Sequence, residues 1–282
     1  MSTAPSTSSA GSPPPGLPAR DREITLISHS NLFYWWPVWL LAFVMAIWTA
    51  VENDRMAIVP PGGTVTHNAA ENTYTMKFPA GATTKSLADA ARRNGSTEQA
   101  FAPRVSQSAV PGALFMVGLL ITIFVTNVPL RGLWTFITLA LIVVLALSIS
   151  LFNLWNDIFE ALGRLYIHIN MAGFLFIGVT VFAIWALATF VFDQRSYIIF
   201  TPGQIRVCEH IGDSVETFPT VGVSMEKLRD DIFRHYILGF GSGDLVVRVS
   251  GAERREIRMP NVLGIGWRLK HVEDVLASVK TT

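Results

Sequence analysis

Charge is what this sequence has least of. Only 15% of its 282 residues are Asp, Glu, Lys or Arg, where a soluble domain usually carries about 25%. The shortfall is not spread evenly, because long stretches hold no charged residue at all, and this points to a membrane protein. Nor is there an excess of one sign. Lys plus Arg number 22 and Asp plus Glu 21, so no overall field draws the chain to nucleic acid. Cysteine is nearly absent. The single Cys208 excludes an internal disulfide, and without a CxxC pair zinc-ribbon and thioredoxin-type chemistry are excluded as well. Cys208 falls in a β-rich stretch and reads as a small buried hydrophobe.

Hydrophobic runs are what is present instead. Four of them, Leu32–Val51, Val110–Leu130, Gly132–Phe152 and Met171–Phe192, are free of acidic residues and, apart from Arg131 between the second and third, of basic ones. About 20 apolar residues in a helix cross the ~30 Å hydrocarbon layer, so four spans are expected. Tyr34, Trp35, Trp36, Trp48, Trp134 and Trp155 lie near run ends, where amphipathic rings suit the membrane interface. The second and third runs, separated by little more than Arg131, form a tight hairpin.

The remaining segments divide around these runs. Residues 1–30 read as a disordered tail, since the opening "MSTAPSTSSAGSPPPGLP" is Ser, Thr, Pro and Gly with no periodicity and offers too little apolar surface to offset ordering. Residues 31–192 form the membrane domain, with a polar insert over 52–109 outside the membrane. In that insert Thr73–Phe78 alternates like a strand and Ser86–Gly95 reads as a capped short helix. Arg20, Arg22, Arg131 and Arg195 fall on one side of a four-span chain, and Arg55, Arg104 and Arg164 on the other. The bias of basic residues toward the inside places both termini in the cytoplasm.

From Asp193 onward the composition becomes that of a small β domain, residues 193–282. "YIIFT" and "QIRVC" flank a Pro202-Gly203 turn suited to type II geometry. "VGVSM" puts Val221, Val223 and Met225 on one face, and "DLVVRV" and "REIRM" flank a further connection at Ser250–Glu253. "GIGWRLKHVEDVLASV" then spaces Leu269, Val272, Val275, Leu276 and Val279 as a helix does. Short antiparallel strands closed by one amphipathic helix predict a small barrel or sandwich.

In their order, "YIIFT", the turn, "IRV", "LGFGSGDLVV", "EIRMPNV" and a last helix holding "VEDVL", these pieces resemble the bacterial membrane-anchored pleckstrin-homology-like (PH-like) proteins over Asp193–Ser278. The resemblance implies an α-helical bundle of four spans joined to an all-β PH-like barrel capped by one helix, in the inner membrane of a bacterium. It implies an interaction role in self-assembly or membrane complexes, with no cofactor. The members with simpler architecture lack an insert such as Glu52–Ala109.

Candidate sites are few. Gly239, Gly241 and Gly243 look like a phosphate loop, but a dinucleotide fingerprint opens a helix, and here a β-branched strand follows. The glycines read as a turn. Lys227, Arg229, Asp230, Asp231, Arg234 and His235 form a charged run, and Arg254 and Arg255 a basic hairpin tip. The plain reading is a solvated, self-paired connector and a solvated tip; the functional reading makes these residues the partner surface, toward a protein, a second copy of the chain or anionic lipid headgroups. No catalytic or metal-ligand constellation emerges. Asp157 and Glu160 read as polar decoration of an interfacial helix. In the runs, Thr122, Thr126, Asn127, Thr135, Thr138, Ser148, Ser150 and Thr180 are polar, and such groups more often bond to a helix than line a pathway. The expectation is a non-enzymatic membrane scaffold. The alternative is a transporter or signal-coupling protein that uses the 52–109 lobe as lid or sensor.

Overall fold

A computed structural model describes residues 23–56, 62–69, 73–77, 103–128, 130, 132–208, 215–229, 231–249 and 255–277. The Ser86–Gly95 helix, Arg131, Asp230 and Arg254 lie outside these residues, as do 1–22. The chain divides into two compact units.

The helical unit comprises Asn31–Phe190 and Asp230–Leu238. Its helices are Trp36–Glu52 (α1), Val110–Asn127 (α2), Leu133–Leu151 (α3), the short Trp155–Gly163 (α4) and Met171–Leu187 (α5). Four helical segments, Asn31–Glu52, Val110–Asn127, Leu133–Leu151 and Met171–Arg195, are long and apolar enough to cross a membrane. A turn of 3-10 helix, Asn31–Trp35, leads into α1, and Pro37 sits within the first turn, where its missing N–H removes no helical hydrogen bond. α1 is the centre of the unit and packs on both α5 and α2. Val38, Ala42, Met45 and Ala46 of α1 meet Phe115 of α2 and Phe174 of α5, whose rings stand edge to face at 5.6 Å. α5 comes close because Gly178 faces Phe43 and Ala42. A Cβ there would lie 3.1 Å from the Phe43 ring, so a larger residue would push the helices apart. α5 ends in a π-helical turn, Ala188–Phe192.

In the insert, Thr64–Asn68 (β2) pairs with Thr73–Lys77 (β3) as an antiparallel hairpin, in agreement with the alternating pattern. The two stems of the insert are tied together as well. Met56 N–H donates to Pro103 O at 3.2 Å and Val105 N–H to Asp54 O at 3.0 Å.

The β unit comprises residues up to Ser30, Val191–Arg229 and Gly239 onward. Its strands are Ile24–Ile27 (β1), Tyr197–Thr201 (β4), Gln204–Cys208 (β5), Val215–Pro219 (β6), Ser224–Leu228 (β7), Gly243–Val249 (β8) and Arg255–Val262 (β9), followed by helix Ile265–Ala277 (α6). One antiparallel sheet runs β1-β4-β5-β6 and the other β7-β8-β9. Leu26, Ile198, Phe200, Ile205 and Val207 from the first meet Leu245, Val247, Val249, Ile257, Met259 and Val262 from the second, with Ile265 and Val272 of α6 closing the core.

Three expectations change. Residues 1–30 are not all tail, because Ile24–Ile27 is a strand in register with β4, Ile24 opposite Phe200 and Ile27 opposite Tyr197. Leu26 is buried in the core. The β domain therefore does not begin at 193: its first strand precedes the first span and its second follows the last, so those two points of the chain lie on one side of the membrane. The strands also form two sheets rather than a closed barrel. At the corner where β1 approaches β9, single bonds replace a ladder. His29 N–H donates to Pro260 O at 3.3 Å, Ser28 Oγ to the same carbonyl at 2.9 Å, and Asn261 Nδ2 to His29 O at 2.9 Å. Pro260 has no N–H to return. Finally, Val221 lies exposed in the turn before β7, and only Val223 and Met225 of the "VGVSM" set pack on the core.

Candidate functional site

The charged run lies in the connection between β7 and β8. Lys227 is exposed near the end of β7. Arg229 is half-buried, and its Nη2 donates to Gly241 O at 2.8 Å. Two of the glycines beside it have separate causes. Gly241 takes a positive φ of 85°, which glycine adopts without penalty. Gly243 lies so close to Ile265, the Arg229 side chain and Leu228 O that a Cβ would come within 2.9–3.1 Å of each. The stretch is a turn feeding β8, as its flanks imply.

Past Arg229 the chain leaves the β unit, and Asp230–Leu238 cluster with the helices. Asp231 is only 1% exposed. Its Oδ1 accepts from Arg234 N–H at 3.0 Å and its carbonyl from His235 N–H at 3.0 Å, so it caps the turn that follows. Asp231 Oδ2 also stands 4.0 Å from Arg234 Nε. A π-helical turn, Phe233–Leu238, comes next. His235, again 1% exposed, puts Nδ1 3.4 Å from Tyr34 Oη. Trp36 Nε1 donates to Leu238 O at 2.9 Å. Both partners belong to the head of the first span. Asp231, Arg234 and His235 are thus brought together, but turned inward. Buried charge is held only where it is paired or hydrogen-bonded: Asp231 finds Arg234 on the segment itself, and His235 faces Tyr34 of the first span. Arg255 opens β9 at the surface and ion-pairs with Glu216 of β6. Among the described members of the predicted set, Lys227 and Arg255 stay accessible.

Sequence reasoning missed a second polar cluster, in the β unit. His29 and Asp193 are both buried, Ser30 Oγ donates to Asp193 Oδ2 at 3.4 Å, and a cavity of about 310 Å³ is lined by Ser28, His29, Ser30, Phe192, Asp193, Ser196 and Pro260. Burial pushes the His29 imidazole below its ordinary value, the Asp193 carboxylate opposes that, and Arg268 adds to it. No sequence signal marks this pair, since 164 positions separate its members and each follows unremarkable neighbours. On the outer face of the second sheet, Arg248 bridges Glu226 and Glu256, and Glu256 also holds Arg258. These bonds, with Arg258 the strongest, hold the Glu256 carboxyl below the usual range.

Among the described residues no three His, Cys, Asp or Glu side chains are grouped to hold a metal. Three hydroxyls in the spans bond to their own helices, Thr122 to Gly118 O, Thr126 to Thr122 O and Ser148 to Val144 O, and Thr135 Oγ1 donates to Leu130 O ahead of its helix. Glu160 pairs with Arg164 one turn on. The chain matches no protein-family model, no curated protein and no solved structure.

Proposed function

We propose that this is an integral membrane scaffold whose β unit is a PH-like domain in the cytoplasm of a bacterium, binding a protein partner or a second copy of the chain. The observation that carries this reading is the order of the β unit. Two antiparallel sheets, of four and three strands, and then a helix whose Ile265, Leu269, Val272 and Leu276 pack on the core support it as short antiparallel strands closed by one helix, without the closed barrel and with the first strand ahead of the first span. Arg195 stands at the end of the last span, and a basic residue there supports the cytoplasmic side for both termini. Lys227 and Arg255, both exposed, are the residues of the predicted set offered to a partner here, Arg255 in its ion pair with Glu216.

The test uses the full chain in nanodiscs. Light scattering and in-membrane cross-linking should find an assembly larger than one chain, and Lys227→Glu with Arg255→Glu should weaken it. A chain that stays single, and cross-links to no protein in its native membrane, would sink the reading. Protease accessibility of the β unit from each face of sealed vesicles tests the orientation separately.

A further inference from the structure

The geometry points to the π-helical turn Phe233–Leu238 as a membrane-inserted anchor: an interfacial segment that turns Tyr236 and Ile237 into the lipid beside the head of the first span.

Asp231 caps the turn and stands within ion-pair distance of Arg234, and His235 faces Tyr34. The segment's charged and titratable side chains are therefore largely withdrawn from the surface. The residues turned outward are Tyr236, 51% exposed, and Ile237, 56% exposed. This inverts the usual surface of a soluble connector, whose charges face water and whose apolar groups face in. A half-exposed isoleucine beside a phenol suits the boundary between headgroups and acyl chains, where an amphipathic element lies with its apolar face in the lipid.

Depth follows from the hydrogen bonds. The segment is held by Tyr34 and Trp36, which stand at the start of a helix long enough to span. Aromatic residues at that level form the interfacial belt. The segment is thus held at the level where the first span begins. The same level is marked on the fourth span, where Trp185 Nε1 donates to Phe33 O at 2.9 Å. Both polar ends, Tyr34 with His235 and Trp36 with the Leu238 carbonyl, satisfy groups that would be costly to leave bare near hydrocarbon. Lipid is the occupant this chemistry fits, since the exposed pair offers bulk and one hydroxyl but no charge for a polar partner to read.

The test uses the wild-type chain in nanodiscs made with a lipid carrying a carbene-generating group near the headgroup. After illumination, adducts are mapped by mass spectrometry. Adducts are expected at Tyr236 or Ile237 in several-fold excess over Val221, an 81% exposed residue of the β unit. It is overturned if the two sites are labelled alike at background level. An independent measurement replaces Ile237 with cysteine in a Cys208→Ser chain and attaches an environment-sensitive fluorophore. Quenching by spin-labelled lipid, with shielding from aqueous iodide, is expected at 237 and the reverse at a Val221→Cys control. Iodide quenching at 237 equal to the control overturns the anchor.

Discussion

Leu245 in β8 and Leu141 in α3 have the same side chain and opposite surroundings. Leu245 has no exposed surface and is enclosed by two sheets and a helix, while Leu141 is 65% exposed. The contrast extends to their elements. β8 is buried along most of its length, and α3 has Thr135 as its one buried residue. A β unit in water must wrap its apolar groups in protein. A span needs no such cover, because lipid tails are as apolar as leucine. The helical unit accordingly concentrates its packing around α1 and leaves α3 to the bilayer. Exposure therefore carries different meanings in the two units: on the β side an exposed apolar residue stands against water, and on the helical side it is solvated.

The comparison breaks most sharply at β1. A fragment of residues 193–282 lacks Leu26 and leaves the β4 edge bare, so it should fail to fold as a monomer. Fusing residues 23–30 to its start should restore a cooperative thermal transition. If the fragment alone melts cooperatively, β1 is dispensable. Next, Leu245→Ala should destabilise the β unit by about 2–5 kcal/mol, the range for buried leucines in cores, read by denaturation of the full chain followed by limited proteolysis of that unit. Leu141→Ala should shift stability by no more than ~0.5 kcal/mol, as at an uncommitted surface. A comparable loss at both positions would show that α3 is covered by protein.

A smaller effect is expected from His29. Its imidazole is held below the ordinary value of about 6.5 in the folded chain, so the unfolded chain takes up the proton first. The full stability is present above that pH and falls as the pH drops below it. His29→Asn should flatten this loss in thermal melts between pH 7 and 5, whereas an unchanged slope would assign it to another group. The smallest effect should come from Glu256→Gln, which removes exposed ion pairs on the second sheet. A slight, salt-dependent drop in melting temperature is expected, disappearing at high ionic strength.

The spans were legible because length and lack of charge suffice to define them. So was the Pro202-Gly203 turn, whose residues pair Thr201 with Gln204, and the glycine turn, since a strand rather than a helix follows it. β1 was not. Four residues carry too short an alternation to stand out beside a long apolar run, and the strand they need lies beyond the whole membrane domain. The charged connector was visible as charge but not as burial. Neither the capping of Arg234 N–H by Asp231 nor the approach of His235 to Tyr34, far earlier in the chain, can be read from the charge pattern alone. Barrel closure was misjudged through Pro260, whose missing donor matters only once β1 is known to approach it.

The separation of β1 from β4 bears on how the chain is made. β1 leaves the ribosome long before β4 exists, and must wait while every span is threaded. If one span failed to insert, the two strands would end on opposite faces of the bilayer and could not meet. The β4 edge would then remain open, the kind of edge that invites aggregation. Completion of the β unit is thus a parity check on insertion, since only an even number of crossings brings its first two strands together.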